Sequence, residues 1–404
     1  MNRLLQLTEP GARPPAQMSV APEGTPVLRL AFRPFYLLGT AAAALLPLWW
    51  VLSLAGLVRA DSAVAPMLWH GHEMLFGVVV AVIVGFLFTA GKTWTGLPTP
   101  KGPFLAALCL LWLAARVAGL WASALVFAVL DVAFLPLVAA VFLDLIARAG
   151  NWRNGPVAVI LLLLATANAA FHAGHLGVMP VDPHAALQAA VLLVVAVMSI
   201  IGGRVIPAFI ANAVPGSRPQ VHAGLELWGL PLTGLALLAW GLAPLHSLTA
   251  LLLALLAAWH LVRLTLWHPW SARSRPILWI LPVAYAWIPI GLALLAGASA
   301  GRVSPSLGLH ALTAGAMGAL IVGMVSRTSR GHTGRLLVAG VRERWAYGLV
   351  LVGAALRVLA PALAEGGRWP ALALAAAAWS SAFALLFVTL WPWLTAPRVD
   401  GKAG

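Results

Sequence analysis

Apolar positions run in long unbroken stretches along this chain, and polar positions fall in short clusters between them. A helix needs about 20 apolar residues to cross roughly 30 Å of hydrocarbon. Runs of that length recur from end to end and predict twelve spans, at 34–56, 69–91, 103–121, 122–146, 156–178, 184–211, 224–243, 247–266, 277–298, 306–327, 345–364 and 370–393. A membrane β-barrel would show short alternating segments instead of runs such as 250–258. The expected fold is therefore all-α, a polytopic membrane protein built as a single domain over 29–397. Residues 1–28, polar and rich in Pro and Gly, read as a disordered cytoplasmic tail, and 398–404 as a second short tail.

The pattern also repeats. Residues 69–96 open with His70, His72 and Glu73 at the edge of an apolar run, and the same skeleton returns in 307–335. At one constant offset His72 matches His310, Gly77 matches Gly315, Gly85 matches Gly323 and Thr95-Gly96 matches Thr333-Gly334. The first-turn prolines Pro34, Pro156 and Pro276 suggest a larger threefold arrangement, three units of four helices, with spans 2 and 10 equivalent.

Composition sharpens this picture. Of the residues, 62% are apolar and only 9% charged, which excludes an ordinary soluble domain. A formal charge of +14 would suggest nucleic acid in a soluble protein. With a cytoplasmic N-terminus, however, all but five of the 25 basic residues fall on the cytoplasmic side, the exceptions being Arg59, Arg116, Arg302, Arg357 and Arg368. Positive-inside topology accounts for the charge without nucleic acid and gives an N-in, C-in orientation. The single cysteine, Cys109, lies in an apolar run and allows no internal disulfide.

Orientation sorts the histidines by depth. His70, His72, His172, His175, His184 and His310 converge on one outer layer. An ionisable group inside a membrane is costly and reads as functional. His70 and His72 are two residues apart and cannot reach one ion from regular helix, so either His70 precedes the helix or the pair serves two centres. Asn168, His172 and His175 share a face of span 5, a spacing that suits a shared metal or a polar packing stripe. Imidazole-rich ligation without thiolates suits copper, haem iron or zinc. Glu73 and Asp131 are candidates for proton handling, with an Arg116–Asp131 ion pair as the plainer alternative. The basic turns carrying Arg204, Arg327 and His332 could hold anionic groups such as haem propionates, and His332 could join His260 in an inner site. No phosphate loop, Ser-His-Asp set, thiolate cluster or calcium loop is visible.

Several of these segments resemble the NnrS family. The resemblance is carried by Arg33-Pro34-Phe35, the run 69–77, the stretch from Gly85 to Gly96, Gly203-Arg204 with the three residues after it, the run 285–289, and the block from His310 to Arg335. It implies a twelve-helix protein of the bacterial inner membrane that contains haem, expected to be haem b, and copper, and that serves nitric-oxide metabolism or nitrosative-stress resistance, as in denitrification. The family is expected to place a histidine in the span-9 run between Trp279 and Tyr285, where this chain has Pro282. Histidines on helices 2 and 10 also resemble, by analogy only, the core of haem–copper oxidases and nitric-oxide reductases.

The favoured expectation is a membrane oxidoreductase acting on nitric oxide. His72 and His310 would be axial haem ligands facing one another, and His70, His172 and His175 would hold a second metal or haem. Glu73 would handle protons, with Asn168 and Thr313 orienting imidazoles. Electrons would come from a quinol or a periplasmic carrier. The rivals are a haem or metal transporter, for which Gly202-Gly203 and Pro282 suggest helix breaks, and a nitric-oxide sensor.

Overall fold

A computed structural model describes residues 24–58 and 62–402. The predicted tail at 1–28 lies largely outside these residues, as does Arg59. Twelve helices are long and apolar enough to cross a membrane. They are α1 (Phe32–Leu54), α2 (Pro66–Thr95), α3 (Gly102–Trp121), α4 (Ala124–Ala149), α5 (Trp152–His175), α6 (Pro183–Ala213), α7 (Ala223–Leu242), α8 (Ser247–Leu266), α9 (Pro276–Ser299), α10 (Pro305–His332), α11 (Val341–Ala362) and α12 (Glu365–Leu394). The protein is thus an all-helical, multi-pass membrane protein, and its helices match the expected spans in number and order.

Local chemistry sets the ends. Prolines near the start of α2, α3, α5, α6, α9 and α10 occupy first-turn positions that need no donor. Asp182 and Ser304 cap α6 and α10 by accepting the amides of His184 at 3.0 Å and Ser306 at 3.3 Å. Gly96 closes α2 at φ 69°, a left-handed conformation that L side chains rarely adopt.

An even number of spans returns both chain ends to one face. Arg33 at the start of α1 donates to the carbonyls of Leu394 at 2.9 Å and Ala396 at 2.8 Å, just past α12. Arg398 donates to the His332 carbonyl at 2.8 Å and pairs with Asp400, whose carboxyl it holds below the ordinary range. α1 packs along α12, and Trp379 of α12 donates to the Ala43 carbonyl at 3.0 Å.

The most buried spans are α2 and α10, each 72% enclosed over its most apolar window. Both depart from α-helix at the same register. Glu73–Val79 in α2 and Ala311–Met317 in α10 are wound as π-helix, each beginning just after the repeated histidine, His72 or His310. Such wide turns are rare and concentrate at functional sites. α6 is continuous α-helix, so the repeated feature belongs to α2 and α10 and has no third copy there. The suggested breaks at Gly202-Gly203 and Pro282 are likewise absent, because both lie inside uninterrupted helices. Gly203 instead makes room for Arg263, whose guanidinium would lie 1.6 Å from an added Cβ.

Candidate functional site: a histidine cavity and a carboxylate cage

The two histidines of the first motif sit on one helix and point apart, as a two-residue step around α2 requires. His70 faces a cavity and His72 faces a polar cluster, and the two surroundings have opposite chemistry.

The cavity measures about 480 Å³ and lies between α1, α2, α6, α10, α11 and α12. Its wall is mainly apolar, with His70, His184, His310 and Arg357 among the few polar groups. That is the composition and size of a small-molecule or cofactor site. His70 is stacked on Trp50 with ring centroids 4.1 Å apart at 16°, and its Nδ1 is buried without a hydrogen-bond partner. His310 Nδ1 lies 2.7 Å from the Ser306 carbonyl, which can only accept. That bond fixes the proton on Nδ1 and leaves Nε2 with its lone pair. Arg357 brings a guanidinium whose Nε is buried without a partner. Repeat-related residues face each other across this space, as Leu75 with Thr313 and Val79 with Met317 both line it.

The cage is fully enclosed. His72 is 0% exposed and surrounded by the rings of Phe76, Phe127 and Phe171 at 5.0, 5.1 and 4.6 Å. Its Nδ1 lies 3.2 Å from Glu73 Oε1, and its Nε2 lies 3.0 Å from Asn168 Oδ1 and 3.1 Å from Asp131 Oδ2. His172 Nε2 reaches the same Asp131 oxygen at 3.1 Å, and Asn168 Nδ2 donates to it at 2.6 Å. Arg116 bridges the two carboxylates, donating to Glu73 Oε1 at 2.9 Å and to Asp131 Oδ1. One arginine thus faces two carboxylates, and both ring nitrogens of His72 face oxygen acceptors. The arrangement has room in its charge balance for one further positive charge. A cation would supply it: ligand atoms of His72, Asp131 and His172 lie within 4.8 Å of one another. Two imidazoles and a carboxylate suit zinc, iron or copper.

These placements revise the expected pairing. His72 is not in the cavity wall, so it does not face His310 across a common space; the helix phase turns it into the cage. His175 stays out of the cage and stacks on Phe171 at 6.3 Å. The outer layer of six histidines therefore divides, with His70, His184 and His310 on the cavity and His72 and His172 in the cage. Asn168 orients His72 as expected, whereas Thr313 is satisfied within its helix by the Leu309 carbonyl at 2.8 Å. Arg204 donates to Asn154 Oδ1 at 2.7 Å, Arg327 lies over the Phe209 ring at 3.9 Å, and His332 packs on Phe32 at 5.3 Å. None of those three lines the cavity. His260 does not join His332. It lies 2.7 Å from the Tyr285 hydroxyl, which also accepts from Arg263 at 2.9 Å.

Arg357 and Asp131 carry more of the arrangement than the sequence reading gave them. Their signal was present, since each is an ionisable residue deep in an apolar run. The Arg116–Asp131 pair is as expected from the sequence; what the sequence does not show is that Asp131 also meets His72 and His172, and that Arg357 lines the cavity.

Fold and site together define a polytopic helical membrane protein with a histidine-lined cavity beside a buried carboxylate–imidazole cage. The chain belongs to the NnrS family, whose model, described as NnrS protein, matches residues 26–398. That membership suggests a membrane protein related to nitric oxide. No curated protein matches the chain.

Proposed function

We propose that this protein is a haem-binding oxidoreductase of the bacterial inner membrane that acts on nitric oxide. The observation that carries the proposal is the cavity: an apolar space of about 480 Å³ lined by three imidazoles, His70, His184 and His310, and one arginine, Arg357. The residues fit a flat, mostly apolar cofactor with an anionic edge. His310, its Nδ1 tied to Ser306, would ligate iron through Nε2, and His70 is the second candidate ligand. Arg357 would meet a carboxylate of the cofactor, which supplies the charge partner its buried Nε otherwise lacks. Haem iron would supply the one-electron chemistry that nitric oxide requires.

The cage would serve as the second centre. His72, His172 and Asp131 would hold a metal such as copper, with Glu73 fixing the His72 ring through Nδ1 in the manner of a carboxylate–histidine–metal relay. Glu73 and Asp131 are also the groups placed to accept or release a proton beside the cavity helix. Uninterrupted α6 and α9 favour this reading over transport, which relies on broken helices near the midplane.

The test is an optical spectrum of the purified protein, oxidised and reduced, with and without nitric oxide, together with metal analysis. Stoichiometric haem that shifts with nitric oxide supports the proposal. Folded protein that stays colourless after haem-replete expression refutes it.

A further inference from the structure

Beside the histidine cavity lies a second, half-open cavity of about 100 Å³, walled by α1, α2, α6 and α10. It touches the histidine cavity end to end, because Val79, Met317 and Ile321 line both. It too lies on the repeat: the repeat-related pairs Val79 and Met317, Val82 and Leu320, and Phe86 and Met324 all line it. Tyr36 is the one polar side chain among the described residues of its wall, and the Tyr36 hydroxyl already takes a hydrogen bond from Thr328 at 3.2 Å.

We infer that this second cavity is a holding site for a small uncharged gas, through which such a molecule passes from the bundle interior to the histidine cavity. That the gas is nitric oxide rests on the function proposed above; that the chamber takes an apolar gas does not. Protein interiors are packed with few voids larger than a water molecule, because an empty space forfeits contacts on every side. A water molecule held here would need two to four polar partners, and the described wall offers at most one, the Tyr36 hydroxyl. Ions are excluded for the same reason, and the volume is far below that of the cofactor site beside it. What remains is a species that loses nothing by leaving water. Dry apolar cavities bind xenon on this basis, and a diatomic gas dissolved in the surrounding lipid has the same preference.

The position of the chamber gives it a role. Its shared wall lies at the ends of the two π segments, Val79 closing one and Met317 the other. A gas leaving the chamber would enter the histidine cavity between the two repeated helices, without crossing the polar end that carries Arg357 and His184.

The experiment uses xenon as the probe on full-length protein crystallised from a lipid phase and pressurised. Xenon in the chamber between α2, α6 and α10 is the expected result. Two variants, Met324→Trp and Ile201→Phe, fill the chamber from different helices without touching a residue of the cofactor cavity. Each should lose the xenon, retain wild-type haem content, and slow nitric-oxide association with reduced haem several-fold. If one variant fails to fold, the other still decides. Absence of xenon from the wild-type chamber overturns the inference. So does xenon that is displaced by the variants while the association rate stays unchanged. Protein without haem would sink the proposed function instead, and the xenon result would still decide whether the chamber takes a gas.

Discussion

Helices α2 and α10 share a skeleton and differ in what surrounds it. Each carries a histidine followed at once by seven residues of π-helix. In α2 that histidine is enclosed by Glu73, Asp131, Asn168 and the bridging Arg116. In α10 it lines an open apolar space and is held only by its own helix, through Ser306. The difference is supplied by α3, α4 and α5, which bring Arg116, Asp131 and His172 to α2; facing α10, α11 brings Arg357, which pairs with no acid among the described residues. One motif thus serves as a closed polar cage on one side and as the wall of an apolar cavity on the other.

The sharpest way to test this contrast is to remove the arginine from each side. Arg116→Met leaves Glu73 and Asp131 buried together without their bridge, and should cost about 3–5 kcal/mol of stability, read as a fall in thermal unfolding temperature in detergent. Arg357→Met removes a cation with no acidic partner among the described residues and should leave the stability of the haem-free protein unchanged or higher, while lowering haem retention. Equal losses in the two variants would erase the distinction between cage and cavity.

Histidine substitutions come next. His310→Ala should abolish or strongly reduce haem content and spare the metal held by the cage. His72→Ala should do the reverse, with His172→Ala following it. Haem and metal quantified on the same samples give the answer, and loss of haem in His72→Ala would restore the pairing of His72 with His310.

The repeated glycines give a smaller contrast. A Cβ on Gly315 would lie 2.5 Å from the Trp287 indole, so Gly315→Ala should cost about 1–3 kcal/mol through overpacking. On Gly77 it would meet Arg116 Nη1 at 3.1 Å, the end of a longer side chain, and Gly77→Ala should cost less in thermal denaturation while disturbing metal retention. The weakest effect belongs to Ser306→Ala. Its hydroxyl lies 3.2 Å from His310 Nδ1, but the backbone carbonyl at 2.7 Å remains, so the loss should be about 0.5–1.5 kcal/mol with haem retained.

Much of this was legible in the sequence. Spans read directly because a lipid-embedded chain must satisfy its backbone within each helix, so long apolar runs have few alternatives. The kinship of α2 and α10 read directly because His72 and His310 share one offset with their glycines. The two-centre option for His70 and His72 also followed from helical phase. Which histidine meets which partner did not read, because it depends on the rotation of each helix about its axis, and a π turn changes that rotation partway along. His175 shows the same limit: three residues from His172 on the sequence, it turns toward Phe171 rather than Asp131. Arg357 was visible as a cation at depth, but which groups face it is a property of α11 and its neighbours together.

The contact of α1 with α12 has a consequence for biosynthesis. The first span to leave the ribosome packs along the last, and Arg33 finds the carbonyls of Leu394 and Ala396 more than 360 residues later. No local pairing can complete that wall, because its other half has not yet been made. Contacts so distant in sequence form late, after the loop between them has been closed. The histidine cavity is lined by Pro47 and Trp50 of α1 and by Trp379 of α12. A ligand that enters before translation ends would therefore meet a cavity lacking one side, so the cavity is complete only after the final thirty-residue helix has been made.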